Sequence, residues 1–118
     1  MTNSVSISNT FKRDAKPLVK KYKTLKSSID TLIGDLINDP FLGAAYGNDI
    51  YKIRLSDPSK GGGKSGGFRV MYYHLNKTEA GIEILLMFIY DKSKKSTINK
   101  SDAIKRLKDI LNEHGAKD

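Results

Sequence analysis

The sequence predicts an α+β fold: a small curved, mostly antiparallel sheet with helices packed on one face. Three observations predict it. Apolar residues recur with a helical period early and late in the chain, and with a period of two in between. Three strand-like segments follow one another with only turns between them, which implies an antiparallel meander. A length of 118 residues without an internal repeat fits one domain over 1–118.

Val5-Ser6-Ile7-Ser8 alternates apolar and polar residues, as a short strand does. Phe11, Ala15, Leu18, Val19 and Tyr22 then share a helical stripe, with Pro17 predicting a kink or a helix start near Lys16. Ile29, Leu32, Ile33, Leu36 and Ile37 mark a second helix, which Asn38-Asp39-Pro40 stops. Phe41 to Asp49, rich in Gly and Ala, reads as a loop. From Ile50 to Ser56, Tyr51, Ile53 and Leu55 point one way and Lys52, Arg54 and Ser56 the other.

A glycine-rich loop leads to Phe68–Asn76, "FRVMYYHLN", a strand by its β-branched and aromatic content. Its Tyr72 and Tyr73 point to opposite faces, so at least one belongs to the core. Lys77 to Gly81 turns the chain, and Ile82 to Asp91 is a long strand buried on both faces. A basic connector runs to Lys100. Asn99 or Ser101 caps a last helix, with Ile104, Leu107, Ile110 and Leu111 on its apolar side and its end near Gly115. The order is β-α-α-β-β-β-α.

Composition narrows the chemistry. With no cysteine, disulfides and thiolate metal sites are excluded. Carboxylates are sparse in the strand region, which disfavours a metal-dependent nuclease and implies no metal cofactor. The first ten residues lack the basic start and apolar run of a signal peptide. The longest apolar run, Ile84 to Tyr90, is too short to span a bilayer, so a cytoplasmic protein without a membrane partner is expected. Net charge is +8, and residues 51–100 hold ten basic against four acidic residues. The excess lies where the chain reads as β, which suggests a polyanionic partner, most commonly nucleic acid. Lysines that only solubilise the surface are the alternative.

The loop "PSKGGGKSGG" ends like a phosphate-cradling P-loop. That pattern requires glycine where this chain has Pro58, and a helix where it has "FRVMYY". No nucleotide cofactor is therefore expected. The glycines suit a flexible connector. Lys60 and Lys64 suit a loop that follows a phosphate backbone. Lys52 and Arg54 share the open face of their strand, and an antiparallel partner brings Arg69 beside them if the register allows. His74, late in a strand, and His114, in the tail, are not placed as an acid–base pair.

"IYKIRL", the basic glycine loop, "GGFRVMYY", "ILLMFIYDKSKK" and the final amphipathic helix together resemble the RelE/ParE superfamily of bacterial toxins. Within it the chain looks most like the RelE/HigB-type branch, and the resemblance extends to the two opening helices and "LINDPFLG". It implies a toxin of a toxin–antitoxin module, neutralised by a cognate antitoxin, that cuts mRNA in the ribosomal A site. The ribosome, with its rRNA and mRNA, is then a partner. The family's two lysines on the first meander strand fall on Lys52 and Arg54, and its arginine on the next strand falls on Arg69. A further family arginine falls on Ser93, with Lys92, Lys94 and Lys95 around it. The family's tyrosine before the last helix falls near Asn99, leaving Tyr90, Tyr73 and the lysines as substitutes.

On this reading Arg69 clamps the phosphate, because its fork matches phosphate oxygens. Lys52 is the candidate base and Arg54 stabilises charge, since an arginine cannot give up its proton. Lys92, Lys94 or Lys95 supplies the acid or a backbone anchor, and Tyr73 or Tyr90 stacks on a base. A ParE-like inhibitor of DNA gyrase, a non-catalytic basic RNA-binding module and an inactive toxin relic are the alternatives.

Overall fold

The computed structural model describes residues 2–60, 67–94 and 98–115. The elements are β1 (Ser4–Ile7), α1 (Asn9–Lys21), α2 (Leu25–Asn38), β2 (Ala44–Gly47), β3 (Ile50–Leu55), a 3-10 turn (Pro58–Lys60), β4 (Phe68–Thr78), β5 (Gly81–Asp91) and α3 (Lys100–Gly115). They form one five-stranded sheet in the order β1-β5-β4-β3-β2. β3, β4 and β5 make the expected antiparallel meander. β1 enters parallel to β5, with Val5 opposite Ile84.

Both faces of the sheet are covered because β5 is apolar on both. Ile84, Leu86 and Ile89 join Val70, Tyr72 and the buried residues of α1 and α2, among them Phe11, Leu25 and Leu36. Leu85, Met87, Phe88 and Tyr90 join Ile50, Met71 and the α3 residues Ala103, Leu107 and Ile110. Packing on one face thus describes α1 and α2, while α3 covers part of the other. The uncovered remainder of that second face is where the charged residues of β3 lie.

Two local readings are corrected. α1 starts at Asn9, well before Lys16. Ser8 Oγ accepts the Phe11 N–H at 3.0 Å and donates to the Met87 carbonyl at 2.9 Å, so this cap also ties the helix to β5. Pro17 sits on the exposed side of the helix, where the lost hydrogen bond faces water. The stretch expected as a loop over Phe41 to Asp49 contains β2, which pairs with β3. Gly47, Asn48 and Asp49 turn the chain with φ of 86°, 56° and 62°. Successive positive φ angles are what a tight hairpin requires, and Asn and Asp tolerate them.

The segment between α2 and β2 is latched to β4. The Tyr72 hydroxyl accepts the Gly43 N–H at 2.9 Å and donates to the Pro40 carbonyl at 3.1 Å. His74 Nε2 lies 2.8 Å from the same carbonyl, while its buried Nδ1 has no hydrogen-bond partner. The imidazole stacks on Tyr51, with ring centroids 4.4 Å apart. Burial pushes the His74 pKa down. The unfolded chain therefore takes up this proton first as pH falls, and the stability contributed by neutral His74 is lost below about pH 6.5. Thermal melts at pH 7.5 and pH 5.5 are expected to show a drop in Tm for the wild type. The drop shrinks in His74→Gln; an equal drop in both would refute the assignment.

Candidate functional site

Strand alternation places Lys52 and Arg54 on the sheet face opposite α1 and α2, and the register gathers the cations. Arg54 lies directly opposite Arg69 on β4, and Arg69 opposite Tyr90 on β5. Arg54, Arg69 and Tyr90 thus form one row across three strands. The neighbouring row is Lys52, Met71 and Phe88. Tyr73, half-buried on the same face, falls one row further on, opposite Ile50.

Arg69 is the unusual member. It is only 8% exposed. Its Nη1 donates to the Phe68 carbonyl at 3.2 Å, and no described carboxylate pairs with it. Across the ladder stands exposed Arg54, also without an acidic partner among the described residues. Like charges opposite one another destabilise a sheet, and a largely buried guanidinium without a counter-charge adds a desolvation cost. An anion able to accept from a planar fork, such as a phosphate, balances both. Tyr90 completes the row at 7% exposure. Burial pushes its hydroxyl pKa up, with Arg69 opposing, so at neutral pH it is an un-ionised phenol.

Lys52 is half-buried and its Nζ sits 5.1 Å from the centre of the Tyr46 ring. The Tyr46 hydroxyl donates to the Ile98 carbonyl at 2.7 Å, joining β2 to the approach of α3. Sequence reasoning missed Tyr46 because it lay in the presumed loop. The Asn48-Asp49 pair directly before an alternating strand was the signal for a hairpin, and hence for a residue beside Lys52. Tyr46→Leu is expected to lower any activity that needs Lys52, whereas Tyr46→Phe keeps the ring under the ammonium and retains most of it. Equal losses in the two variants would argue against the cation–π contact.

Lys92 follows β5 directly, and its N–H donates to the Gly67 carbonyl at 3.1 Å, which places it at the same end of the sheet as Arg69. Lys94 is exposed. Lys64 and Lys95 lie outside the described residues. Lys60, expected to reach a phosphate backbone, is committed elsewhere. Its Nζ pairs with Asp91 Oδ2 at 2.8 Å, accepted also by Ser93 Oγ at 3.1 Å, and lies over the rings of Tyr22 and Phe68. The side chains of this pair are 13% and 5% exposed. Burial alone would raise the Asp91 pKa, but hydrogen bonds from Lys60 and Ser93 hold it below the usual carboxylate range. Ser93 and Asn99, the two departures from the toxin pattern, both have structural partners: Ser93 bonds Asp91, and Asn99 Oδ1 accepts the Asp102 N–H of α3 at 2.9 Å.

Among the described residues, no group of three His, Cys, Asp or Glu side chains is placed to hold a metal ion. No helix among them is long and apolar enough to cross a membrane.

No family model and no curated protein matches the chain. Among solved structures it is similar to the E. coli toxin RelE, determined as a double arginine-to-alanine mutant in the free state. The TM-score is 0.57 at 18% sequence identity, over 90% of this chain and 98% of that one. The α+β meander that carries the Arg54–Arg69–Tyr90 row thus has a RelE-like fold.

Proposed function

We propose that this protein is the toxin of a toxin–antitoxin module and acts as an endoribonuclease on mRNA in the ribosomal A site, held inactive by a cognate antitoxin. The observation that carries this reading is Arg69, nearly buried, without an acidic partner among the described residues and directly opposite Arg54. Two arginines opposite one another across the ladder suit a phosphate that gains charge during reaction. The RelE-like fold supports the same reading.

In the proposed reaction the ribose 2′-oxygen attacks the adjacent phosphorus. Its bond to phosphorus forms as the bond from phosphorus to the 5′-oxygen breaks, leaving a 2′,3′-cyclic phosphate. Lys52, positioned beside the Tyr46 ring, takes the 2′-hydroxyl proton in its neutral amine form. Arg69 and Arg54 hold the non-bridging oxygens of the pentacoordinate phosphorus. Lys92, directly after β5 at the same end of the sheet as Arg69, returns a proton to the leaving 5′-oxygen. Lys94 and Lys95 anchor the RNA backbone, and Tyr73 offers a ring for a base.

The test is induced expression with mapping of mRNA 5′ ends, run beside a gyrase supercoiling assay on purified protein. Growth arrest with cuts phased to ribosomes is the expected result. Arrest without phased cuts, combined with inhibited supercoiling, would refute the nuclease reading in favour of gyrase inhibition.

A further inference from the structure

We infer that a groove over the end of β5 is a second anion-binding surface, which carries the phosphate backbone of single-stranded RNA beyond the Arg54–Arg69 row. The inference rests on the proposed function and extends it.

The groove encloses about 460 Å³ between α1, β5 and α3. Tyr90, the last member of the row, also lines it, so groove and row are continuous. Its cations come from three elements: Arg13 of α1, Lys94 after β5 and Arg106 of α3. Arg106 is held with its guanidinium 4.9 Å from the Phe88 ring centre. The groove also contains acids. Asp91 is committed to Lys60, Asp14 is half-buried, and Arg13 makes an exposed 3.5 Å pair with Glu113. The floor does not suit an added peptide strand, because Phe88, Ile89, Tyr90 and Asp91 are each 7% exposed or less. What the groove offers a ligand is charge on its rim.

α1 extends that rim. Arg13, Lys16 and Lys20 are spaced i, i+3, i+7 and are all exposed, so they form one stripe on the helix. Neither Lys16 nor Lys20 pairs with an acid among the described residues. Lys12, Lys16 and Lys20 are successive like charges at i, i+4, which destabilise a helix. A face kept only for solubility gains more from mixed signs. A stripe of one sign beside a cationic groove fits a ligand with regularly repeated negative charge, which a nucleic-acid strand provides.

The test compares non-cleavable 2′-O-methyl oligonucleotides of about four and about twelve nucleotides, bound to the full chain over a salt series. In the triple variant Lys16→Gln, Lys20→Gln, Arg106→Gln the affinity for the long strand is expected to fall about tenfold, with a salt slope shallower by about two, while the short strand binds as before. Lys16→Glu with Lys20→Glu, two surface changes that leave Arg106 in place, should lose the long-strand advantage further. An unchanged long-strand affinity and salt slope in both variants would overturn the inference. So would a selective loss of polyglutamate binding, which would assign the surface to an acidic protein. The row is tested apart from the groove. If Arg54→Gln with Arg69→Gln leaves short-strand binding intact while the groove variants lose the long strand, the proposed function fails and the groove stands.

Discussion

Arg69→Ala is expected to lower RNA cleavage on programmed ribosomes by a factor of about 10² to 10³, the usual loss when one preorganised donor to a developing anion is removed. The same change should leave the fold intact. Arg69 is nearly buried, bonds the Phe68 carbonyl and faces Arg54, with no acid among the described residues to offset either charge. Replacing it by an apolar residue of similar length removes the repulsion and the desolvation cost together. Arg69→Met is therefore expected to be as stable as the wild type, or more stable by about 1–2 kcal/mol, while failing to cleave. Arg69→Lys keeps the charge but not the fork, so cleavage should stay well below wild type. Single-turnover cleavage and thermal melts on the same preparations check both parts. Full cleavage by Arg69→Ala would sink the assignment; a large fall in Tm for Arg69→Met would show that the arginine serves the fold.

Asp57→Ala is expected to cost about 3 kcal/mol of folding free energy and to lower Tm by roughly 10 °C. Asp57 is 6% exposed and lies just beyond β3. It accepts from Thr24 Oγ1 at 2.9 Å, Ser28 Oγ at 2.5 Å, the Ser59 N–H at 3.2 Å and the Ser59 hydroxyl. One carboxylate thereby joins α2 to the turn that leads away from Arg54. Removing it leaves several donors short of an acceptor. Burial alone would raise the Asp57 pKa, but the bonds from Ser28, Ser59 and Thr24 outweigh that and hold it below the usual range. A depressed carboxyl contributes stability that is present above about pH 4 and lost as pH falls through its folded pKa. Asp91 acts in the same direction. The wild type should thus lose stability steeply in acid and Asp57→Ala less steeply. Urea titrations at pH 7 and pH 3.5 measure both slopes, and parallel losses would count against the network.

The elements that were legible have strong periodicity. β3 shows strict alternation, β5 a long apolar run and α2 a helical stripe, so type and burial could be read directly. β2 could not be read that way, because it is four residues long and holds one bulky side chain; its evidence was the turn after it. Pro17 misled because a proline on the exposed side of a helix costs little, and the sequence does not show which side it occupies. Lys60 misled for a related reason. A lysine in a glycine-rich loop reads as free, and nothing local announces that Asp91 and Ser93, about thirty residues away, will hold it.

Periodicity and composition alone determined the class of fold, the identity of the basic strand face and the failure of the P-loop pattern, because each depends on neighbours within a few residues. The register that sets Arg54 against Arg69 and Tyr90, the α3 packing that covers only part of that face, and the pairing that withdraws Lys60 from it were decided by tertiary structure. They depend on contacts between distant segments, which only the folded chain brings within reach of one another.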